Sequence, residues 1–191
     1  MPEVSSEGES RREPRLLVVG CGGPLASDDN VGLEIVHRLQ SGGGCGCEFL
    51  EVKGGGLDLL YSFDKAEIML FVDAVQSGAA PGTVHLLPLS SGEIATRAVG
   101  RVSSHGWGLT ETLRLAGSLG MRVPRMMLLG LELGSVTPGL TRTPAVEAAL
   151  EAIVACFSEL QGALRNSESP LWAVHHRYAF LTEGFTKVNG S

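Results

Sequence analysis

Aromatic residues are scarce in this chain, 5% of 191 residues. That scarcity excludes the stacking platforms on which proteins lay out single-stranded nucleic acid. Basic charge is also short. Fifteen Lys and Arg against twenty-one Asp and Glu leave a net charge of −6, so a general basic surface for a phosphate backbone is absent and no nucleic-acid partner is expected. No apolar run approaches the ~18 residues of a membrane span, and no membrane partner is expected either. Cysteine is limited to Cys21, Cys45, Cys47 and Cys156. Their spacing fits neither a zinc ribbon nor a C-x-x-C redox pair. Residues 1–14 are polar and lack the apolar core of a secretory signal, so a disulfide framework is not expected. A reduced, cytoplasmic protein is the expectation. The G-x-S-x-G elbow of serine hydrolases and the H-E-x-x-H zinc helix are both missing.

Hydrophobic residues make up 43% of the chain and glycine contributes 26 positions. The first figure excludes wholesale disorder; the second marks special backbone positions. At one domain per ~150 residues, the length suits a single domain. The pattern divides the chain into a flexible leader (1–14), an α/β domain (15–165) and a tail (166–191) that holds Trp172, His175, His176, Tyr178 and Phe180. Short apolar runs at 16–20, 49–52, 67–73, 83–89 and 125–131 read as about five strands. Helical periodicity starts after Ser27-Asp28-Asp29 and again at 57–63, 107–119 and 144–164. Thr143 and Pro144 stand where a cap and a first helical residue belong. Strands that alternate with helices and are apolar throughout imply a mostly parallel sheet, covered on both faces. The run at 83–89 follows its predecessor without a helix, so it is expected to pair antiparallel at an edge.

In such sheets ligands bind at the carboxyl ends of the strands. Three polar features fall there. Asp28-Asp29 follow the first strand, Asp73 ends the third, and His105 sits in a short polar loop before a helix. Two carboxylates and an imidazole suit a borderline divalent metal and leave positions open for water or substrate. Each residue also has an ordinary reading: Asp28 or Asp29 as a helix cap, Asp73 as a structural hydrogen-bonding acid, His105 as a packing histidine. The stretch Gly20-Cys21-Gly22-Gly23-Pro24-Leu25 fails as a dinucleotide fingerprint at Leu25, and two adjacent acids would repel a pyrophosphate. Cys45-Gly46-Cys47 and His175-His176 lack the companions a metal site needs.

Gly20-x-Gly22-x-x-Leu25-x-x-Asp28-Asp29-x-x-Gly32 resembles the opening motif of the hydrogenase maturation endopeptidases, G-x-G-N-x-L-x-x-D-[DE]-x-x-G. Phe71-Val72-Asp73-Ala74-Val75 with Pro81-Gly82 is similar to the second motif of that family, and Ser103-x-His105 with Gly108-Leu109 to the third. Gly130-Leu131-Glu132 matches the strand end before the last helix. The resemblance implies a three-layer αβα sandwich. It implies an endopeptidase that removes the C-terminal extension of a nickel–iron hydrogenase large-subunit precursor after nickel insertion. The metal-site residues then fall on Asp29, Asp73 and His105, with nickel supplied by the substrate and zinc or cadmium as substitutes in vitro. Gly54, Gly55 and Gly56 would line the cleft and admit an extended peptide. Trp107 would pack against that peptide or join the core. The sequence departs from the family at Gly23, where Asn is usual, and at Lys53-Gly54-Gly55-Gly56, where D-G-G-T is usual. That change motivates one alternative, a recognition factor that binds the nickel-loaded subunit without cutting. An unrelated α/β hydrolase with its own zinc or manganese is another.

Overall fold

A computed structural model describes residues 15–22, 27–43, 46–52, 57–89, 109–135 and 141–166. His105, Trp107, Lys53, Gly54, Gly55 and Gly56 lie outside these residues, as do the leader and tail beyond position 166. The described chain runs β1 (Leu16–Cys21), a 3-10 turn (Asp28–Asn30), α1 (Val31–Ser41), β2 (Glu48–Val52), α2 (Leu57–Ser62), β3 (Ile68–Val75), β4 (Val84–Leu89), α3 (Leu109–Ser118), β5 (Arg125–Glu132) and α4 (Pro144–Arg165).

The five strands form one sheet in the order β2-β1-β3-β5-β4. β1, β2, β3 and β5 run parallel, and β4 pairs antiparallel with β5. The composition of each strand follows its place. Every residue of β1 and β3 is buried, as is β5 from Met126 to Glu132, because helices cover both faces. The edge strands are more polar, and Pro88 sits in β4, where a missing N–H costs least. Strand side chains alternate between two cores. Leu16, Val18, Leu70 and Val72 pack with α1 and α4, whereas Leu17, Val19, Met69 and Phe71 pack with α2 and α3. Two helical layers about one sheet make the αβα sandwich.

The helices meet their cores through regular spacing. α4 buries Val146, Leu150, Ile153, Phe157, Leu160 and Leu164, a three-four alternation that keeps one stripe against the sheet. α1 ends where Gly42 returns its N–H to the Arg38 carbonyl. Two expectations need correction. β3 does not stop at Asp73; it continues through Ala74 and Val75, which still pair with Leu131 and Glu132 of β5. Thr143 precedes α4 and Pro144 opens it, but the Thr143 side chain makes no cap bond to the helix. Among the described residues, no helix is long and apolar enough to cross a membrane.

Candidate functional site

The carboxyl edge of the sheet is built from the ends of β1, β3 and β5. Asp73 stands near the end of β3, the central strand, and opposes Gly130 of β5. Its side chain is fully buried, and its Oδ1 accepts the Ala74 N–H at 2.9 Å. Strand alternation turns it toward the α2–α3 face, the face of Cys21. The electrostatics agree. The Cys21 thiol is pushed well above its ordinary value, first by burial and then by the charge of Asp73.

Asp29 lies in the 3-10 turn that leads into α1 and is half-buried. Three glycines bring this turn down onto the strands. A Cβ at Gly20 would press on the Gly32 carbonyl and Val36, one at Gly22 on the Asp29 carbonyl, and one at Gly32 on the carbonyls of Val72 and Cys21. The glycine spacing therefore serves close backbone packing of α1 on β1 and β3. It brings the Asp29 turn and Asp73 to the same edge of the sheet. His105, Trp107 and Gly54 to Gly56 fall outside the described residues. Among the described residues, no three His, Cys, Asp or Glu side chains form a group able to hold a metal ion.

Asp28 does something that the helix-cap reading did not anticipate. Neither Ser27 nor Asn30, the residues that precede the turn and α1, makes a side-chain cap bond. The fully buried Asp28 carboxylate instead reaches across the fold. Its Oδ1 accepts the Thr143 N–H at 2.8 Å, and its Oδ2 accepts the N–H groups of Gly134 and Ser135 at 2.9 and 2.8 Å and the Thr143 hydroxyl at 3.0 Å. Ser27 adds a hydroxyl bond to the Ser135 carbonyl at 3.3 Å.

A second buried acid, Glu132, closes β5 and organises the loop after β3. Its Oε1 accepts the N–H groups of Ser77 and Gly78, both at 2.8 Å, and its Oε2 accepts the Ser77 hydroxyl at 2.7 Å. His85 of β4 brings Nε2 to 3.2 Å from the same Oε2. The Pro81-Gly82 turn follows. Gly82 has φ +83°, and a Cβ there would meet the Ala145 carbonyl at 2.6 Å, so the turn needs glycine both for its conformation and for its contact with α4. The sequence had marked Glu132 only as a strand end; no local pattern pointed to Ser77 or His85.

Fold and edge define a class: an αβα protein with acids gathered at the carboxyl ends of a mostly parallel sheet. The family model of hydrogenase maturation proteases (HycI) matches residues 35–159. The matched stretch includes Asp73 and His105, while Asp28 and Asp29 precede it. The hydrogenase expression/formation protein HupD of Thiocapsa roseopersicina is 31% identical over 154 residues, which is 74% of this chain and 68% of that protein. The hydrogenase 2 maturation protease of Escherichia coli K12 is 29% identical over 153 residues, covering 76% and 92% of the two chains. The solved structure of the E. coli hydrogenase maturating endopeptidase HybD superposes with a TM-score of 0.63 at 26% identity, over 81% of this chain and 99% of that one. The chain belongs to the hydrogenase maturation protease family.

Proposed function

We propose that this protein is the endopeptidase that removes the C-terminal extension of a nickel–iron hydrogenase large-subunit precursor after nickel insertion. Asp29, Asp73 and His105 contact the nickel that the precursor carries, and the reaction runs in the cytoplasm. The observation that carries this reading is Asp73, a fully buried carboxylate on the central strand at the ligand-binding edge. A buried anion is costly unless a partner or a cation offsets it. Asp73 accepts the Ala74 N–H within the fold, and a divalent ion delivered by the substrate adds a cation at this edge when the precursor docks. Two carboxylates and an imidazole match nickel in donor chemistry, and zinc or cadmium stand in for it in vitro.

The roles then divide as follows. Asp73 is fixed on a strand that neighbours pin on both sides, so it gives a rigid point of contact. Asp29 approaches from a turn seated on the same strands. His105, four residues ahead of α3 in the sequence, completes the set. Gly54, Gly55 and Gly56 lie ahead of α2 and admit the extended peptide. An empty precursor brings no cation and so gains nothing from the acids, which restricts cleavage to loaded subunits. The metal, once held, offers Lewis-acid polarisation of a carbonyl or activation of water.

The test is the mass of the large subunit after incubation of the nickel-loaded precursor with wild type and with Asp73→Asn. Wild type removes the extension; the variant, folded by circular dichroism, does not. Full processing by Asp73→Asn refutes the reading. A stable complex of wild type with the loaded precursor and no loss of mass replaces it with a recognition factor that does not cut.

A further inference from the structure

We infer that Asp28 is a positioning residue that sets where Asp29 stands. The inference rests on the reading of Asp29 and Asp73 as acids that meet the nickel of the precursor. A carboxylate offers about two acceptor sites on each oxygen, and Asp28 receives four donors from its own chain, one on Oδ1 and three on Oδ2. Oδ2 is therefore fully engaged, Oδ1 is already bonded to the Thr143 N–H, and the whole carboxylate is buried against the β5–α4 connection. Of the two adjacent acids, the ligand role falls to Asp29.

The donors come from two places in the chain. Gly134 and Ser135 follow β5, and Thr143 precedes α4. One carboxylate thus ties both ends of the β5–α4 connection to the turn that carries Asp29. No side-chain cap fixes that turn from within. From outside it is held by Asp28, with the Ser27 hydroxyl on the Ser135 carbonyl beside it, and by the Gly32 seat on β1 and β3. Asp73 pairs with Gly130 of β5, one residue past Val72, where the strand is paired on both sides, and does not shift with the turn. Without the Asp28 carboxylate the turn tilts about the Gly32 seat, and Asp29 moves relative to Asp73. Residues that hold a metal-contacting residue from behind typically cost 10–100-fold in affinity or activity when lost.

The experiment measures the rate of extension removal from nickel-loaded precursor by the full-length chain. Asp28→Asn, which replaces one acceptor oxygen by a donor, is expected to lose roughly 10–100-fold in rate while folded. Amide exchange at 134, 135 and 143 is expected to rise with it. Thr143→Val, which removes one of the four donors, loses less, and Thr143→Ser restores the wild-type rate because it keeps the hydroxyl. Leu150→Ala in the α4 core, assayed below its melting temperature, serves as the control for lost stability and keeps the wild-type rate. If Asp28→Asn does not fold, Thr143→Val decides. Wild-type rates for the folded Asp28 and Thr143 variants, or an equal loss in Leu150→Ala at a matched fall in Tm, overturn the inference. Asp29→Asn run beside them separates the two levels. Its loss of activity with full activity in Asp28→Asn refutes the positioning role alone, and its full activity refutes the reading of Asp29 itself.

Discussion

Gly32 lies so close to Val72 that a Cβ at position 32 would stand 2.1 Å from the Val72 carbonyl oxygen, and 2.3 Å from that of Cys21. Both obstacles are backbone of central strands, and neither can rotate away as a side chain would. Gly32→Ala must therefore lift α1 off the sheet. Forced overpacking typically costs 1–3 kcal/mol, and a collision with rigid backbone belongs at or above the top of that range, about 3 kcal/mol. Urea denaturation of wild type and variant measures it. A variant within 0.5 kcal/mol of wild type, roughly the scale of neutral surface changes, would show that the helix does not sit where the structure has it.

Much of this architecture was legible because burial on both faces writes itself into composition. β1, β3 and β5 are continuous apolar runs, and the antiparallel edge followed from the absence of a crossover helix before β4. Three features were not legible. The third strand was expected to end at Asp73, since a carboxylate after five apolar residues looks like a strand end. It continues because the ladder with β5 runs on past Asp73. Asp28 was open to a cap reading because local rules see only neighbours, whereas its donors lie 106 to 115 residues away. The Glu132 cluster shares that blindness: Ser77 is 55 residues from its acceptor. Motif spacing selected Asp29 and Asp73 as candidates, but the carboxylates that hold their loops belong to tertiary structure.

Cys21 should be inert in the native protein. The thiolate is the reactive form, and here burial first and the Asp73 charge second oppose its formation. Iodoacetamide at pH 8 is expected to leave Cys21 unmodified until denaturant is added, with peptide mass mapping as the readout. Asp73→Asn removes the second cause and leaves the first, so labelling should stay slow in that variant. Stoichiometric modification of native Cys21 would contradict the burial of this strand end.

Glu34 couples α1 to α4. It accepts from Arg38 at 2.8 Å and faces Arg142 at 3.3 Å, and both arginines also meet Glu147 of α4. The Arg38 hydrogen bond, aided by Arg142 and opposed by burial, holds the Glu34 carboxyl below its ordinary 4.5. A carboxyl depressed on folding stabilises the fold above its unfolded value, and that contribution disappears as pH falls through the folded one. Glu34→Gln should therefore cost about 0.5–1 kcal/mol at pH 7, the range for partly exposed pairs. The gap should close as pH falls through and below 4.5. Denaturant titrations across pH 3–7, roughly the carboxyl range, follow it. A gap that stays constant with pH would mean that Glu34 acts by packing and not by charge.

Ser77 and Gly78 are exposed, yet both give their N–H groups to the buried carboxylate of Glu132. An exposed loop amide normally exchanges freely, so protection here has to come from Glu132. Hydrogen exchange should find residues 77 and 78 protected in wild type and fast in Glu132→Ala. The substitution also strips the Ser77 hydroxyl and the buried His85 of their shared oxygen. Bonds to a charged group contribute about 1.5–3 kcal/mol, and water can replace the carboxylate at the exposed loop but not at His85. The net loss should be roughly 2–3 kcal/mol. Because this loop begins directly after the strand that carries Asp73, Glu132→Ala should also slow processing of the precursor, and Glu132→Gln, which keeps one accepting oxygen, should slow it less. Unchanged exchange at 77 and 78 in Glu132→Ala would mean that the loop is held by other contacts and that Glu132 serves β5 alone.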